Sequence, residues 1–522
     1  MPNKPAGDRA GPREWIGLAV LALPSLLVSI DVSVMMLALP HLSASLAATS
    51  TQQLWILDIY GFMLAGFMIT MGTLGDRIGR RKLLMIGSAA FGLASILAAF
   101  SPTAELLIAS RAILGIAGAT MGPSILALIT NMFRNEAQRG MAISIWMVCF
   151  MGGMAIGPLV GGIMLEHFWW GSVFLLGVPA MVLLLITAPF LLPDYRDPKA
   201  GRLDLASVVL SLAAILPAVY GLKEIAKAGP SGIPLAAIAF GVAMAAIFLV
   251  RQRRLDHPLF DVALFKNRGF AVAVSGMFLI TVTGSVMLFT SQYFQIVLGL
   301  TPLMAGLCTL PGVVLMVASL MLAPMLAQKL RPATLIAIGL VVGAAGAGMI
   351  GLAGPVDGLW VVVTGFVLFN VGCAPMVTLA NGIVMSSVAP ERAGSAAALS
   401  ETSAELGFAL GIAAMGSVGT AIYRSQVAPA LPADLPAGTA RLITDTIATT
   451  SGALESLPAE VSAPLAAAIS QAFTSGMNVV GATAAVLLLL VACMVTLWLR
   501  HLPPLGSTAQ AHVAPEGQVE TA

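Results

Sequence analysis

Fourteen apolar stretches recur along the chain, and each is long enough to cross a lipid bilayer. A hydrocarbon core of about 30 Å needs roughly 20 helical residues, because a helix rises about 1.5 Å per residue. Lipid offers the backbone no hydrogen-bond partners, so stretches of this length must be helices. The sequence therefore predicts an all-α integral membrane protein with spans near 15–39, 53–72, 83–100, 104–132, 140–165, 171–192, 204–222, 231–250, 271–297, 302–326, 333–353, 359–388, 393–422 and 475–499.

The composition excludes a soluble protein. Of 522 residues, 58% are hydrophobic and only 10% are charged, against roughly 25% charged in soluble domains. The net charge of +2 comes without a basic patch, so we expect no nucleic-acid partner. The four cysteines have neither metal-ligand nor CxxC spacing, so the sequence predicts no metal site.

The basic residues indicate the orientation, because cytoplasmic loops hold Lys and Arg. With the N-terminus inside, 21 of the 26 basic residues fall on the cytoplasmic side. Lys223, Lys227, Arg424 and Arg441 fall outside, and Arg111 lies within a span. We therefore expect both termini in the cytoplasm and an even number of spans. The first stretch is too long for a signal-peptide core and is predicted to be retained.

An internal repeat at an offset of 254 residues divides the chain into halves. The matching pairs are Gly140 with Gly394, Gly153 with Gly407, Gly157 with Gly411, Gly162 with Gly416 and Ala142 with Ala396. Repeated halves are typical of two-lobed carriers. We predict a cytoplasmic N-terminus (1–14), a six-helix lobe (15–192), two inserted spans with their loops (193–270), a second six-helix lobe (271–502) and a disordered tail (503–522). The second lobe contains an external loop (424–474), predicted to form a short helical hairpin.

The loop after the second span carries the motif GxLxDRxGRR, from Gly72 to Arg81. Its glycines allow a sharp turn between packed helices, and its aspartate and cations can form ion pairs that hold one conformation and break in another. The motif closely resembles the signature loop of the major facilitator superfamily. The resemblance implies the major facilitator fold, here with two inserted helices, and a conformational gating role for Gly72, Asp76, Arg77, Gly79 and Arg80.

Two further motifs resemble elements of the same superfamily. The fourth span carries RxxxGxxxA, from Arg111 to Ala119, and the fifth carries GxxxGPxxGG, similar to the element of its antiporter branch. Glycines at this spacing allow close helix packing, and the proline weakens one backbone hydrogen bond, so the helix can bend. The end of the first span also resembles that of the fourteen-span drug:proton antiporters. The resemblance implies export driven by a proton gradient without a cofactor, and gating by Gly153, Gly157, Pro158, Gly161 and Gly162.

Charged residues within spans are costly and mark functional sites. Glu401 and Glu405 lie one turn apart in the thirteenth span, so they share a helix face. Two such carboxylates in a low dielectric are unfavourable when both are ionised, so at least one is a candidate proton carrier. At the equivalent positions of the first half the repeat has Met147 and Met151. Because apolar residues fill those positions, helix packing alone does not explain why the second half has acids. The segment resembles the paired-acid helix of quaternary-ammonium efflux pumps of the Qac and Smv type, although the tenth span lacks the acid that some of these have.

The remaining intramembrane charges favour a cationic ligand, because acids outnumber bases. We predict that Asp31 and Arg111 form an ion pair that a proton can break. Asp58, near the outer end of the second span, either contacts substrate or is simply hydrated. Proton coupling is assigned to Asp31, Arg111, Glu401 and Glu405. Substrate binding is assigned to Asp31, Asp58, Glu401 and Glu405 and, through dispersion and cation–π attraction, to Trp55, Tyr60, Trp146 and Phe150.

The sequence thus predicts a monomeric, proton-coupled multidrug efflux antiporter in the cytoplasmic membrane of a bacterium, exporting amphipathic cations such as quaternary ammonium compounds and dyes. A narrow-substrate exporter of a natural product or metabolite is an alternative. Deep titratable acids and a two-lobed repeat disfavour a passive channel. A membrane enzyme is disfavoured because the sequence has no HExxH, GxSxG or Walker motif, and its GxGxxG lies within an apolar span.

Overall fold

The computed structural model describes residues 10–133, 135–194, 204–255, 262–387, 393–432, 435, 437–445, 450, 454 and 458–500. The predicted tail at 503–522 and the first nine residues lie outside this part. Regular secondary structure in the described residues is helical. Within them, twelve helices are long and apolar enough to cross a membrane, and two bent helices bring the number to fourteen. The prediction of a fourteen-span, all-α fold is confirmed.

Fourteen helices, α1 to α14, correspond to the predicted spans. The first six are α1 (Pro12–Leu46), α2 (Ser50–Ile78), α3 (Arg80–Ala99), α4 (Ala104–Gly118 continued by Met121–Met132), α5 (Glu136–His167) and α6 (Ser172–Leu175 continued by Val178–Leu191). An inserted pair follows, α7 (Leu205–Ala228) and α8 (Gly232–Gln252). The last six are α9 (Arg268–Val282, Ser285–Gln292 and a π turn at Tyr293–Val297), α10 (Pro302–Ala327), α11 (Pro332–Ile350), α12 (Leu359–Ser386), α13 (Ala393–Val427) and α14 (Ala459–Leu499).

Polar caps explain where several of these helices begin. The Thr49 hydroxyl accepts a hydrogen bond from the backbone N–H of Gln52, whose side-chain oxygen accepts one from the N–H of Thr49, forming a capping box at the start of α2. The Thr103 hydroxyl accepts a hydrogen bond from the N–H of Leu106 at the start of α4, and the Thr301 hydroxyl accepts one from the N–H of Met304 at the start of α10. These side chains satisfy backbone donors that a helix leaves free at its start.

The fifth helix bends by 41° between Met154 and Ile156. Pro158 lies four residues after Met154, and a proline in a helix cannot donate a hydrogen bond to the carbonyl four residues before it. The bend therefore lies where the sequence motif predicts a weakened backbone. A second bend, of 52°, interrupts α2 between Met68 and Thr70.

The internal repeat is visible in how α5 and α13 pack. A Cβ added at Gly153 would lie 2.4 Å from the carbonyl oxygen of Leu26 in α1. A Cβ added at Gly407, its counterpart, would lie 2.6 Å from the carbonyl oxygen of Phe278 in α9. Equivalent glycines thus bring equivalent pairs of helices into backbone contact, so the two lobes are built alike.

Two other glycines of the repeat lie between the lobes. A Cβ at Gly162 in α5 would lie 2.6 Å from the Cα of Leu303 in α10, and one at Gly416 in α13 would lie 2.6 Å from a methyl group of Leu54 in α2. The end of the helix bundle that holds Arg80, Arg251 and Arg500 is here named the basic end. Both contacts lie in the halves of their helices that are farther from it. The lobes therefore touch at the end opposite the basic end.

The inserted helices form a hairpin that an ion pair closes at the basic end. Asp204 caps α7 by accepting hydrogen bonds from Ser207, and it pairs with Arg251 of α8 at 2.8 Å. Partial burial acts to raise the pKa of Asp204, but the hydrogen bonds from Ser207 and Arg251 and the charge of Arg251 outweigh burial, so the pKa lies below its usual range.

The loop predicted at the opposite end, 424–474, is shorter in the structure than in the sequence prediction. The helix α13 continues to Val427 and α14 already begins at Ala459, and a short helix, Ala437–Asp445, lies between them. The predicted helical hairpin also extends over residues outside the described part, so it stays a prediction. An Ala-rich segment precedes the predicted last span, and alanine favours helix although the segment is not apolar enough to register as a span. The Tyr423 hydroxyl donates to the carbonyl of Ile443 and ties the short helix to α13.

Candidate functional site

An ion pair between Asp31 and Arg111 lies between α1 and α4. The Arg111 guanidinium is 2.8 Å from the Asp31 carboxylate, and both side chains are nearly buried. Arg111 also donates through Nε to the carbonyl of Ile56, at 3.1 Å, and lies 4.7 Å from the centre of the Tyr60 ring. The predicted pairing is present, and it spares the protein a lone buried cation.

The RxxxGxxxA motif explains how Arg111 reaches this position. A Cβ at Gly115 would lie 2.4 Å from the carbonyl oxygen of Tyr60. Only a glycine therefore allows α4 to approach the backbone of α2 so closely. Arg111 lies one turn before Gly115 on the same face, so the close contact brings its guanidinium to Ile56 and Tyr60.

Glu405 faces the same cluster from the other lobe. It lines a cavity of about 30 Å³ together with Arg111, Tyr60 and Met35. That volume holds about two water molecules, so it admits a proton carrier but not an amphipathic molecule. The structure thus brings together three of the four residues predicted to couple protons.

Glu401, the fourth, lies one turn nearer the basic end and is exposed. Its carboxylate is 3.8 Å from where a Cβ of Gly122 in α4 would lie, so it faces the opposite lobe rather than lipid. Met147, its counterpart in the first half, is also exposed, whereas the side chain of Met151 lies outside the described part. The lobes therefore touch at the opposite end, whereas Glu401 is exposed nearer the basic end and Glu405 is half-buried one turn above it.

The aromatic residues predicted to bind substrate separate into different environments. Tyr60 is buried beside Arg111, and its hydroxyl has no hydrogen-bond partner in the described structure. Trp146 and Phe150 are half-buried on α5, and the Trp146 indole donates to the hydroxyl of Ser25 in α1 at 2.6 Å. Trp55 lies elsewhere, on the face of α2 toward the inserted helices.

Asp58 forms a second buried ion pair that the sequence predictions miss. Its carboxylate lies 2.7 Å from the ammonium of Lys223, and neither side chain is exposed. The expectation of a hydrated Asp58 is therefore wrong, as is the placement of Lys223 in an external loop. The hydropathy of α7 falls at Lys223, which ended the predicted span at 222, but the helix continues to Ala228. An unpartnered acid within a span was the available signal that a base had to lie nearby.

The gating loop joins α2 to α3 at the basic end. Asp76 and Arg80 form an ion pair at 2.6 Å across one helical turn, and Arg77 is exposed. Gly79, between the two helices, has a φ of 103°, which side chains rarely adopt. Arg81 pairs with Asp194 at 3.4 Å and so links the loop to the end of α6.

The described residues contain no group of three or more His, Cys, Asp or Glu side chains that could hold a metal ion. The chemistry available at the centre is instead proton transfer and ion pairing among carboxylates, one guanidinium and an aromatic ring.

Comparisons with known proteins agree with this geometry. The sequence profile described as the Major Facilitator Superfamily matches residues 21–412. The chain is 41% identical over 497 residues to the multidrug efflux pump LfrA of Mycolicibacterium smegmatis, covering 94% of this chain and 97% of that protein. It is 35% identical over 433 residues to the methyl viologen resistance protein SmvA of Salmonella typhimurium, covering 81% and 86%. A crystal structure of a bacterial homolog of the human lysosomal transporter Spinster matches with a TM-score of 0.67 and 16% identity, covering 94% of this chain and 98% of that chain, which shows a shared fold.

Proposed function

Since the chain belongs to the major facilitator superfamily, we propose that it is a proton-coupled multidrug efflux antiporter that exports amphipathic cations by alternating access. It is a multi-pass membrane protein of the efflux type. The relatives named for multidrug efflux and for resistance to methyl viologen support this substrate class. In the proposal the protein acts as a carrier rather than as an enzyme or passive channel, and it needs no cofactor besides the proton gradient.

The observation that carries the proposal is the arrangement of the carboxylates between the lobes. Glu401 is exposed opposite α4, Glu405 lines the small cavity one turn above it, and Arg111 beside that cavity holds Asp31. An intramembrane carboxylate without a cation of its own attracts a proton or an organic cation. One carboxylate can hold only one of the two at a time, and this exclusion is what an antiporter requires.

The exchange follows from charge balance. When the lobes open toward the cytoplasm, a cation that enters between them displaces a proton from the carboxylates, and that proton leaves toward the cytoplasm. When the lobes open outward, protons from the more acidic outside displace the cation. Protonating Asp31 removes the charge that holds Arg111, so the proton also changes the relative energies of the two conformations.

The proposal places the basic end and both termini in the cytoplasm, because cytoplasmic loops of membrane proteins hold Lys and Arg. The bacterial cytoplasmic membrane is the corresponding location, and the monomer is the proposed unit. Substrate contacts are assigned to Glu401 and Glu405, with Tyr60, Trp146 and Phe150 available for aromatic contacts. The loop from Gly72 to Arg81 and the α5 motif from Gly153 to Gly162 are the proposed gating elements.

Ethidium efflux tests the proposal. The rate is measured in energised cells or inverted vesicles for the wild type and for Asp31→Asn, Glu401→Gln and Glu405→Gln, with and without a protonophore. We expect the protonophore to stop wild-type efflux and Asp31→Asn to abolish it. Glu405→Gln should impair efflux more than Glu401→Gln, because Glu405 is the closer to Arg111.

Two outcomes of this assay would contradict the proposal. If the well-expressed wild type moves neither ethidium nor other organic cations, the multidrug assignment fails and a narrow-substrate exporter takes its place. If efflux persists after the protonophore, proton coupling fails.

A further inference from the structure

The buried ion pair between Asp58 and Lys223 joins the first lobe to the inserted hairpin. The ammonium lies 2.7 Å from the carboxylate and 4.1 Å from the centre of the Trp55 ring, and neither charged side chain is exposed. Trp55 and Asp58 are three residues apart, so both face α7 from α2. A carboxylate and an aromatic ring on one helix thus enclose a single ammonium from the other.

The inserted helix α7 touches both lobes close to this pair. Phe62 of α2, Val219 of α7 and Ala409 and Ala413 of α13 form a buried cluster that is separate from the main hydrophobic core. Phe62 lies one turn from Asp58, and Val219 lies one turn from Lys223. The helix α7 therefore covers the seam between α2 and α13, one from each lobe.

The two sides of α7 make different kinds of contact. Toward α2 it has the ion pair, and its Leu212 lies against Gly66, where a Cβ would be 3.0 Å from a leucine methyl group. Toward α13 it packs against apolar side chains of this cluster, among them Leu406 and Leu410. Separating a buried ion pair leaves uncompensated charges in lipid, whereas packed apolar surfaces slide past one another at small cost.

We propose that Asp58 and Lys223 fasten the inserted hairpin, α7 and α8, to the first lobe, so that the hairpin moves with that lobe while α13 slides along α7. This makes Lys223 a positioning residue and makes Asp58 its counter-ion rather than a substrate contact. The inference rests on the proposed transport cycle, since it assigns the inserted helices to one of the two moving parts.

Cross-linking tests which lobe carries the hairpin. In a background with the four native cysteines replaced, one variant carries Gly66→Cys and Leu212→Cys, joining α7 to α2. The other carries Val219→Cys and Ala413→Cys, joining α7 to α13. We expect a short bis-methanethiosulfonate, which forms a disulfide with each cysteine and releases a sulfinate at each, to leave ethidium efflux unchanged in the first variant and to stop it in the second. Each variant without reagent is its own control.

The opposite pattern overturns the inference: efflux that stops when α7 is joined to α2, or that continues when α7 is joined to α13. The cysteine-free background must itself export ethidium under a proton gradient. If it does not, it is the proposed function that fails, which distinguishes that failure from a failure of the hairpin assignment.

Exchanging the charges of Asp58 and Lys223 distinguishes a structural ion pair from direct contact of Asp58 with substrate. We expect Asp58→Asn and Lys223→Met each to lower the efflux rate about tenfold or more, because each leaves one buried charge unpaired. The double variant Asp58→Lys with Lys223→Asp should return to within about threefold of the wild type, because the coupling of a pair survives reversal. Immunoblots of the membranes correct for the amount of protein. A charge-exchanged protein that is present in normal amounts but inactive would show that the Asp58 carboxylate itself is needed and would refute its role as a counter-ion.

Discussion

Two adjacent glycines in α5 offer a test of how closely the helices of a lobe must pack. A Cβ at Gly153 would lie 2.4 Å from the backbone carbonyl oxygen of Leu26, whereas one at Gly152 would meet nothing within 4 Å. Ser29 also lies within reach of a Cβ at Gly153, but a hydroxyl can rotate away and a helix backbone cannot. Gly153→Ala must therefore move α1 and α5 apart, while Gly152→Ala leaves them in place.

The magnitude follows from comparing the two variants. Ordinary contact between a methyl group and an oxygen needs roughly 3.4 Å, so Gly153→Ala requires a shift of about 1 Å. Forcing extra atoms into a packed interior costs typically about 1–3 kcal/mol. Both variants gain the same helix propensity, about 1 kcal/mol for alanine over glycine, so this gain cancels in the difference. We expect Gly153→Ala to be less stable than Gly152→Ala by about 1–3 kcal/mol.

Unfolding of the purified protein in mixed micelles of increasing SDS content measures this difference, and ethidium efflux follows its functional effect. Gly407→Ala extends the test to the second lobe, because its Cβ would lie 2.6 Å from the carbonyl oxygen of Phe278. Its loss of stability should match that of Gly153→Ala. Equal stability of Gly152→Ala and Gly153→Ala would refute the reasoning, since it would mean that α1 and α5 do not need this close approach.

Single contacts support three further predictions. Tyr60→Phe should leave stability and efflux near wild-type values, because the hydroxyl has no partner in the described structure, whereas Tyr60→Leu should impair efflux because it removes the ring beside Arg111. Gly79→Ala should cost about 1–2 kcal/mol in the same unfolding assay, because its φ of 103° strains a side chain; Gly72→Ala, which meets only an ordinary 3.8 Å contact, is the control. At pH values above 3.8, the ordinary pKa of an aspartate, the ionised form of Asp204 stabilises the hairpin. This contribution to the free energy of unfolding is lost as the pH falls through the lower pKa that Asp204 has in the folded protein. Acid should therefore destabilise the wild type more than Asp204→Asn in thermal unfolding, and equal losses would contradict the assignment.

The number of spans and the central cluster were predictable from sequence because each depends on a strong physical rule. Lipid forces long apolar runs into helices, and an isolated buried charge needs a partner. With Arg111 as the one base assigned to a span, Asp31 was its natural counter-ion, and the structure pairs them.

The second ion pair was missed for a physical reason too. Lys223 lies at the end of an apolar run, where a hydropathy window cannot tell a snorkelling surface lysine from a buried one. Only the packing of α7 against α2 makes the difference, and a contact between helices so far apart in the chain leaves no local pattern. The early start of α14 at Ala459 was likewise missed, since alanine-rich segments form helices without being apolar enough to read as spans.

The helix α14 is longer than a membrane span requires, so its additional length can act as a lever arm. At about 1.5 Å per residue, its 41 residues extend about 60 Å, twice the hydrocarbon thickness. Arg500 follows its end on the basic side, so the additional length lies toward the opposite end, where the side chains of Leu465 and Ile469 are buried. An arm of roughly 30 Å converts each degree of lobe rotation into a displacement of roughly 0.5 Å at its tip. A fluorophore or antibody fragment placed at this tip, at the end opposite the basic end, would report the rocking of the second lobe without touching the transport pathway.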